Sequence, residues 1–341
     1  MTPMRLDVVI PTHNRAALLR RALQSLLDAP VPSELHVEVT VADNRSIDDT
    51  REVVGSFQPA FGGRLHYIYE PKPGRSHALN AAIAATSGDL VGMIDDDEQV
   101  DARWFITIAE AFQDPSTDFI GGPYLPEWSV QRPAWIGPAY GSAVGWVDGG
   151  PEIQQYGPPC DAMLMGGNAV IRRSLLERAG PYSADLGRTP GGRLLSCEDE
   201  DMFVRLLAAG GRGFYRPDLI IHHYVPAERM TRRYFRRWCF WRGVSLGLID
   251  RRRPAPVRYL FGVPRYLFGI AARGAWDSVR MLFGGFDSAR LFKNELAWWD
   301  LAGFLYGKHM AGFDRWFSGL RGQMRGDVPS AATSPATPPR S

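Results

Sequence analysis

The sequence is short of the features that would place it in several large protein classes. It has three cysteines in 341 residues, Cys160, Cys197 and Cys239, set far apart and without the close pairs that hold zinc. That argues against a disulfide scaffold and for a reduced compartment. No run of about 18 apolar residues is present, and the best stretch, near Leu260 to Ile270, is broken by Pro264 and Arg265. Met1 to Asp7 has no long apolar core and runs straight into a strand-like segment, so no secretory signal is expected. No internal repeat is visible. The net charge of +2 is too small to imply a partner, although basic residues crowd after position 228. The expectation is a cytoplasmic protein, with peripheral attachment to the inner face of the cell membrane left open.

What is present is apolar content of 45%, enough for a substantial core, in a chain long enough for one large domain with an appendage. The first hundred residues alternate strand and helix. Leu6 to Ile10, Val37 to Ala42, Leu65 to Tyr69 and Leu90 to Ile94 are short apolar runs. Between them Leu18, Ala22 and Leu26, and then Leu79, Ala82 and Ile83, recur at helical spacing. Ser46 to Asp49 reads as a helix cap. Such alternation predicts an α/β fold with a mostly parallel sheet covered on both faces. Ligands bind beyond the carboxyl ends of such strands. Three polar clusters fall there: Thr12-His13-Asn14, Asp43-Asn44 and Asp95-Asp96-Asp97.

The chemistry of these clusters suits a phosphorylated ligand. Asp95 and Asp97 share one side if the run stays extended, with Asp96 facing the other. Carboxylates so placed can hold a divalent cation against phosphate oxygens, while an isolated acidic triplet is more often a solvated turn. Asp43 can accept a hydrogen bond from a nucleobase or ribose, or simply form a turn. Thr12, Asn14 and Arg15 open a helix whose N-terminus favours anions. Glu198 to Asp201 start a helix, where acids also suit the dipole. Asp199 is the choice for a general base, with Glu198 and Asp201 as cap and partner. Trp128, Trp135 and Trp146 offer faces for a sugar ring or for a core. His222 and His223 follow an apolar strand and point opposite ways, so one of them can reach a metal or diphosphate.

Together the stretches resemble the family 2 glycosyltransferases of GT-A fold, of the bacterial surface or exopolysaccharide type. The matching segments are Val8 to Arg15, Val41 to Asn44, Gly74 to Asn80, Gly88 to Glu98, Gly166 to Asn168 and Glu198 to Leu206, in the family order. The resemblance implies inverting single displacement from a nucleoside-diphosphate sugar, a UDP-sugar being the first candidate, with Mg²⁺ or Mn²⁺. It puts Pro11, Thr12, Asn14, Arg15, Asp43, Arg75, Asn80, Asp95 and Asp96 around the nucleotide sugar. Asp97, with His222 or His223, is then the metal side, and Asp199 the base. Gly167, Asn168, Glu198, Trp128 and Trp135 fall to the acceptor and donor sugar. One departure is Ala42-Asp43-Asn44-Arg45-Ser46, where many members carry two consecutive acids and Gly-Ser.

The implied domains are a GT-A catalytic unit over 1–227 (nucleotide-sugar binding 1–100, acceptor part 101–227), a basic aromatic helical extension over 228–325, and a disordered tail over 326–341. In the extension, Arg232, Arg233, Arg236 and Arg237 can lie opposite Met230, Tyr234, Trp238 and Trp241. That pattern fits a membrane-surface helix or one packed on the catalytic unit. The acceptor is expected to be a glycan or lipid-linked, and nucleic acid is not an expected partner. The alternative function is a catalytically silent sugar-nucleotide-binding or scaffold subunit. Nucleotidyl transfer fits poorly, because Pro11 to Asn14 stands where a Gly-rich basic loop would be needed.

Overall fold

The computed structural model describes residues 3–157, 163–186 and 197–310. Cys160 and the tail over 326–341 lie outside the described residues.

The first half of the chain is built as its periodicity predicts. Strands β1 (Met4–Thr12), β2 (Leu35–Asp43), β3 (Leu65–Tyr69) and β4 (Leu90–Met93) alternate with helices α1 (Ala16–Asp28), α2 (Thr50–Phe57) and α3 (Arg75–Ala85). These strands are parallel and stand in the order β3-β2-β1-β4. The central strand β1 is buried from Leu6 to Thr12 because both of its edges are paired and both faces are covered. Helix α1 contributes Leu19, Ala22, Leu23 and Leu26 to the core, a stripe at helical spacing. The loop before α2 works through Asp48, whose carboxylate accepts from the Thr50 amide and hydroxyl and from the Ala16 amide.

The second half is more irregular. In chain order it contains β5 (Glu98–Val100), α4 (Trp104–Ala111), β6 (Phe119–Gly121), β7 (Tyr124–Trp128), α5 (Gly141–Val144), β8 (Gln154–Gln155), β9 (Ala169–Arg172), α6 (Arg173–Ala179), α7 (Glu198–Ala208), β10 (Gly213–Tyr215) and β11 (Ile221–Val225). Strand β9 runs antiparallel between β4 and β6, and β10 and β8 complete an eight-stranded sheet. A second sheet, β5-β11-β7, stands beside the acidic turn at the end of β4.

The extension forms α8 (Arg232–Arg252), α9 (Arg265–Gly284) and α10 (Ser288–Leu305), with a short hairpin, β12 (Tyr259–Leu260) and β13 (Val263–Pro264), between α8 and α9. Helix α8 does not present a free amphipathic face. It packs along α10, its Arg236 forms a two-pronged pair with Glu295 at 2.6 and 2.9 Å, and Phe235 is buried. An aromatic seam joins it to the catalytic unit, with Trp135, Tyr140, Phe235 and Phe292 meeting mostly edge to face. Each such contact adds roughly 0.5–1.5 kcal/mol beyond burial. Of the two readings of α8, packing is the one realised.

Candidate active site

The polar clusters meet in a cleft of about 810 Å³ at the carboxyl ends of β1 and β4. Its floor is the segment after β4. Asp95 to Glu98 is a tight turn rather than an extended run, closed by the Glu98 amide donating to the Asp95 carbonyl at 3.2 Å. The turn sends Asp96 one way and brings Asp95, Asp97 and Glu98 together on the other. The carboxylates of these three lie within 4.8 Å of one another. Hard oxygen donors at that spacing fit Mg²⁺ or Mn²⁺. Glu98 is a member that the sequence reading missed. It is buried, accepts from the Asp95 amide at 2.7 Å, and is held well above the usual carboxylate range by burial and by repulsion from Asp95 and Asp97.

Asp96 is a brace for the floor. Its carboxylate accepts from the Thr12 hydroxyl at 2.9 Å and from Arg15 at 2.8 Å. Burial raises it to about 6 even though Arg15 opposes that shift. Arg15 also reaches Asp97 at 2.9 Å. Burial works against the Arg15 charge, but Asp96 and Asp97 outweigh it and raise the guanidinium above its ordinary value. Asp97 receives Arg229 as well, at 3.3 Å, and His223 lies 3.8 Å away.

The opposite wall is the start of α7. Arg75, at the first turn of α3, links it to the floor. The guanidinium contacts Asp95 at 2.8 Å, Asp199 at 3.1 Å and Glu198 at 3.3 Å. Burial disfavours its charge, yet Asp199, Asp95 and Glu198 together hold it well above the arginine norm. Three carboxylates therefore share one buried cation, an arrangement in which removing the cation is far costlier than the pair is stabilising. Asp201 faces away and pairs with Arg205 and Ser183. Neither it nor Glu198 caps the helix.

Gly166 and Gly167 separate the two acidic groups. A Cβ on Gly166 would fall inside the Asp199 carboxylate, and one on Gly167 inside that of Glu98. The backbone can approach both acids only because these side chains are missing.

Other expected residues take different places. Pro11, Thr12, Arg15, Arg75, Asp95, Asp96, Asp97, Gly167, Glu198, Asp199 and His223 line the cleft. Asp43 stands beside it, its oxygens accepting from the Ser46 amide at 2.8 Å and the Tyr67 hydroxyl at 2.7 Å. Asn14 holds the neighbouring loop through Ile47 and Ser46. Asn80 is a backbone brace, with both ends of its amide on Tyr182 at 2.9 and 2.8 Å. Asn168 is fully buried, accepting from the Trp104 indole at 3.0 Å and donating to the Pro123 and Leu219 carbonyls. It fastens the sheet and does not reach the cleft. His222 points to the far side of β11, where Asp101 is 3.8 Å away. Trp128, Trp135 and Trp146 pack in the aromatic seam, because the rings find apolar partners there. The cleft receives Trp238 and Arg242 of α8 instead, together with Asn44 and Arg229. Glu98 left a signal in the sequence, an acid three residues after Asp95, but only the turn shows that it folds back. Arg229 and Trp238 left none that separates them from neighbouring basic and aromatic residues.

Comparison with known proteins agrees with this geometry. The chain is 27% identical over 262 residues to the succinoglycan biosynthesis protein ExoM of Rhizobium meliloti, spanning 76% of this chain and 80% of that protein. It is 23% identical over 258 residues to the glucosyl-dolichyl phosphate glucuronosyltransferase of Haloferax volcanii, spanning 74% and 79%. Among solved structures, the mannosyltransferase PcManGT of Pyrobaculum calidifontis, in complex with GDP-Man and Mn²⁺, superposes with a TM-score of 0.58 at 19% identity, over 91% of this chain and 89% of that one. That likeness shows the shared GT-A architecture. Residues 7–180 match the profile described as Glycosyl transferase family 2, half of the chain. With the fold, the acidic turn and the ordered segments all in agreement, this chain belongs to glycosyl transferase family 2 and is a glycosyltransferase.

Proposed function

We propose that the protein transfers a sugar from a nucleoside-diphosphate donor, with inversion, to a hydroxyl of a glycan or lipid-linked acceptor. The observation that carries this reading is the meeting of Asp199 and the acidic turn on Arg75 in a single cleft. A donor diphosphate needs the turn, an acceptor hydroxyl needs a base, and here the two stand on opposite ends of one guanidinium. Asp95, Asp97 and Glu98 would hold a divalent cation, with His223 beside Asp97. When bound, such an ion neutralises charge on the leaving diphosphate.

The residues supply the rest. Asp199 takes the proton from the acceptor hydroxyl as it attacks. Arg75 fixes its carboxylate, and Gly166 lets that carboxylate lie directly against the backbone. Arg15 and Arg229 offer positive charge to the diphosphate side. Buried Asp96 holds Thr12 and Arg15 in place. The names of the relatives support the acceptor class, one being a succinoglycan biosynthesis protein and the other acting on a dolichyl phosphate-linked sugar. UDP-sugars remain the first donors to try, and GDP-Man, bound by the structural neighbour, is the second. We place the activity at the cytoplasmic face of the membrane, where a lipid-linked acceptor would be reached.

The test is release of nucleoside diphosphate from a panel of sugar nucleotides with Mn²⁺, using Asp97→Ala and Asp199→Ala. Both substitutions are expected to remove turnover while the fold persists. Full activity in both would remove the site assignment.

A further inference from the structure

Among the described residues, no helix is long and apolar enough to cross a membrane. Yet the extension exposes a set of large apolar side chains. On α9, Trp276 is 66% exposed and Phe283 88%, with Tyr266, Ile270 and Val279 also open. Stepping 100° per residue puts these five on one broad face, with Arg273 and Arg280 interleaved. The two connections flanking the helix add Phe261, 81% exposed, and Phe286, 74% exposed. Isolated exposed apolar residues are ordinary, but five large ones on one helix face mark an interaction surface.

Among the described residues, the helix is held from its other side. Ala271 and Met281 are buried, and Gly274 packs closely against Asn294 of α10. Helix α10 lies against both α8 and α9, so the exposed face of α9 looks away from the helix that lines the cleft. The charge around the face is positive. Arg265, Arg273 and Arg280 lie on α9 at helical spacing, Arg251, Arg253 and Arg258 precede it in sequence while Arg252 is paired with Asp185, and Asp277 is the one acid from 251 to 284. Asp277 is already engaged by Arg290 at 2.7 Å and by Asn294 at 3.0 Å.

We propose that this face of α9, with Phe261 and Phe286 at its ends, docks the protein on an anionic lipid bilayer. The rings enter the interface while the arginines meet lipid phosphates, as charge and amphipathicity together require. This builds on the membrane location proposed above but moves the attachment from α8, which is packed, to α9, which is not. Trp276, Phe283 and the arginines take no part in the catalytic cleft, so docking and transfer can be separated.

The experiment is co-sedimentation of the full chain with vesicles of phosphatidylcholine, alone or with about one-third phosphatidylglycerol. Arg273→Glu with Arg280→Glu, and Trp276→Ser with Phe283→Ser, serve as variants, each checked by thermal melting. The parent is expected to bind the anionic vesicles, less so in high salt, and weakly at best the neutral ones. Each arginine near an anionic surface is worth about fivefold in partition, so the double charge reversal should weaken binding at least ~25-fold. Loss of binding in both variants, with unchanged nucleoside diphosphate release on a water-soluble acceptor, supports the proposal. Binding by both variants equal to that of the parent overturns it, as does no binding to either vesicle. A dimer of the parent that Trp276→Ser with Phe283→Ser dissociates, without vesicle binding, assigns the face to a second copy and also overturns it. Absence of sugar transfer in a parent that still binds vesicles would count against the catalytic reading alone.

Discussion

The cleft wall at α7 and the aromatic seam under α8 both tie distant stretches of chain together, but with opposite materials. At the cleft, Arg75 joins Asp95 to Glu198 and Asp199, which lie more than a hundred positions further along the sequence. At the seam, Trp135, Tyr140, Phe235 and Phe292 do the same with rings. A buried charge set gives little net stability but fixes directions closely, because each group is ruinous to leave unpaired. A ring cluster gives stability and tolerates modest repacking. Chemistry therefore belongs at the first and assembly at the second.

Substitutions can break or sharpen that contrast. Arg75→Ala leaves three buried or half-buried carboxylates without their shared cation. It should cost about 3–5 kcal/mol and remove turnover as well, read by thermal melting and by nucleoside diphosphate release. An unchanged melting temperature would mean that the acids do not depend on it. Asp199→Asn keeps the shape and should lower turnover by roughly 10²–10⁴ with little change in melting, which isolates chemistry from folding. Trp135→Ala is the converse case: it empties part of the seam and should cost about 2–4 kcal/mol, with kcat per folded molecule preserved. Should kcat fall while the melt stays put, Trp135 would belong to the acceptor site after all. Smallest is Trp128→Phe, which keeps a ring in the seam beside Trp146 and should shift stability by no more than about 1 kcal/mol.

How much of this was legible follows the same division. Strands β1, β2 and β4 could be read because each is a largely buried run ending in a polar cluster, and β3, though only Leu65 of it is buried, begins and ends where the apolar run does. Helix α7 was visible from Met202 and Leu206 behind four acids. Strands β6, β9 and β10 were not, since runs of three or four mostly buried residues are too short to show a period. Within the site, alternation put Asp95 and Asp97 on one side and Asp96 on the other, but it left Glu98 out of the first group and did not name the partners of Asp96. Asp96 faces Thr12 and Arg15 because the run turns, and the turn depends on a backbone hydrogen bond that no spacing reveals. The two histidines could be separated only once β11 was paired on both edges, which turns His223 toward Asp97 and His222 toward Asp101. Asn80 and Asn168 carry the side chains of ligand binders but satisfy buried backbone groups, a demand set by loops far away in sequence.

The single guanidinium of Arg75 also bears on how two substrates would sense each other. Whatever changes the charge on Asp199 changes the share of Arg75 left for Asp95, and the reverse holds equally. Under the roles proposed for these acids, occupancy of the donor side and readiness of the base become thermodynamically linked, and linkage is reciprocal. An acceptor analogue should then bind with a different affinity before and after the donor product is in place. By the same factor, the nucleoside diphosphate should sense the analogue. A double-mutant cycle between Asp95 and Asp199 would read that cooperativity directly, as a property of one shared counter-ion rather than of any movement of the fold.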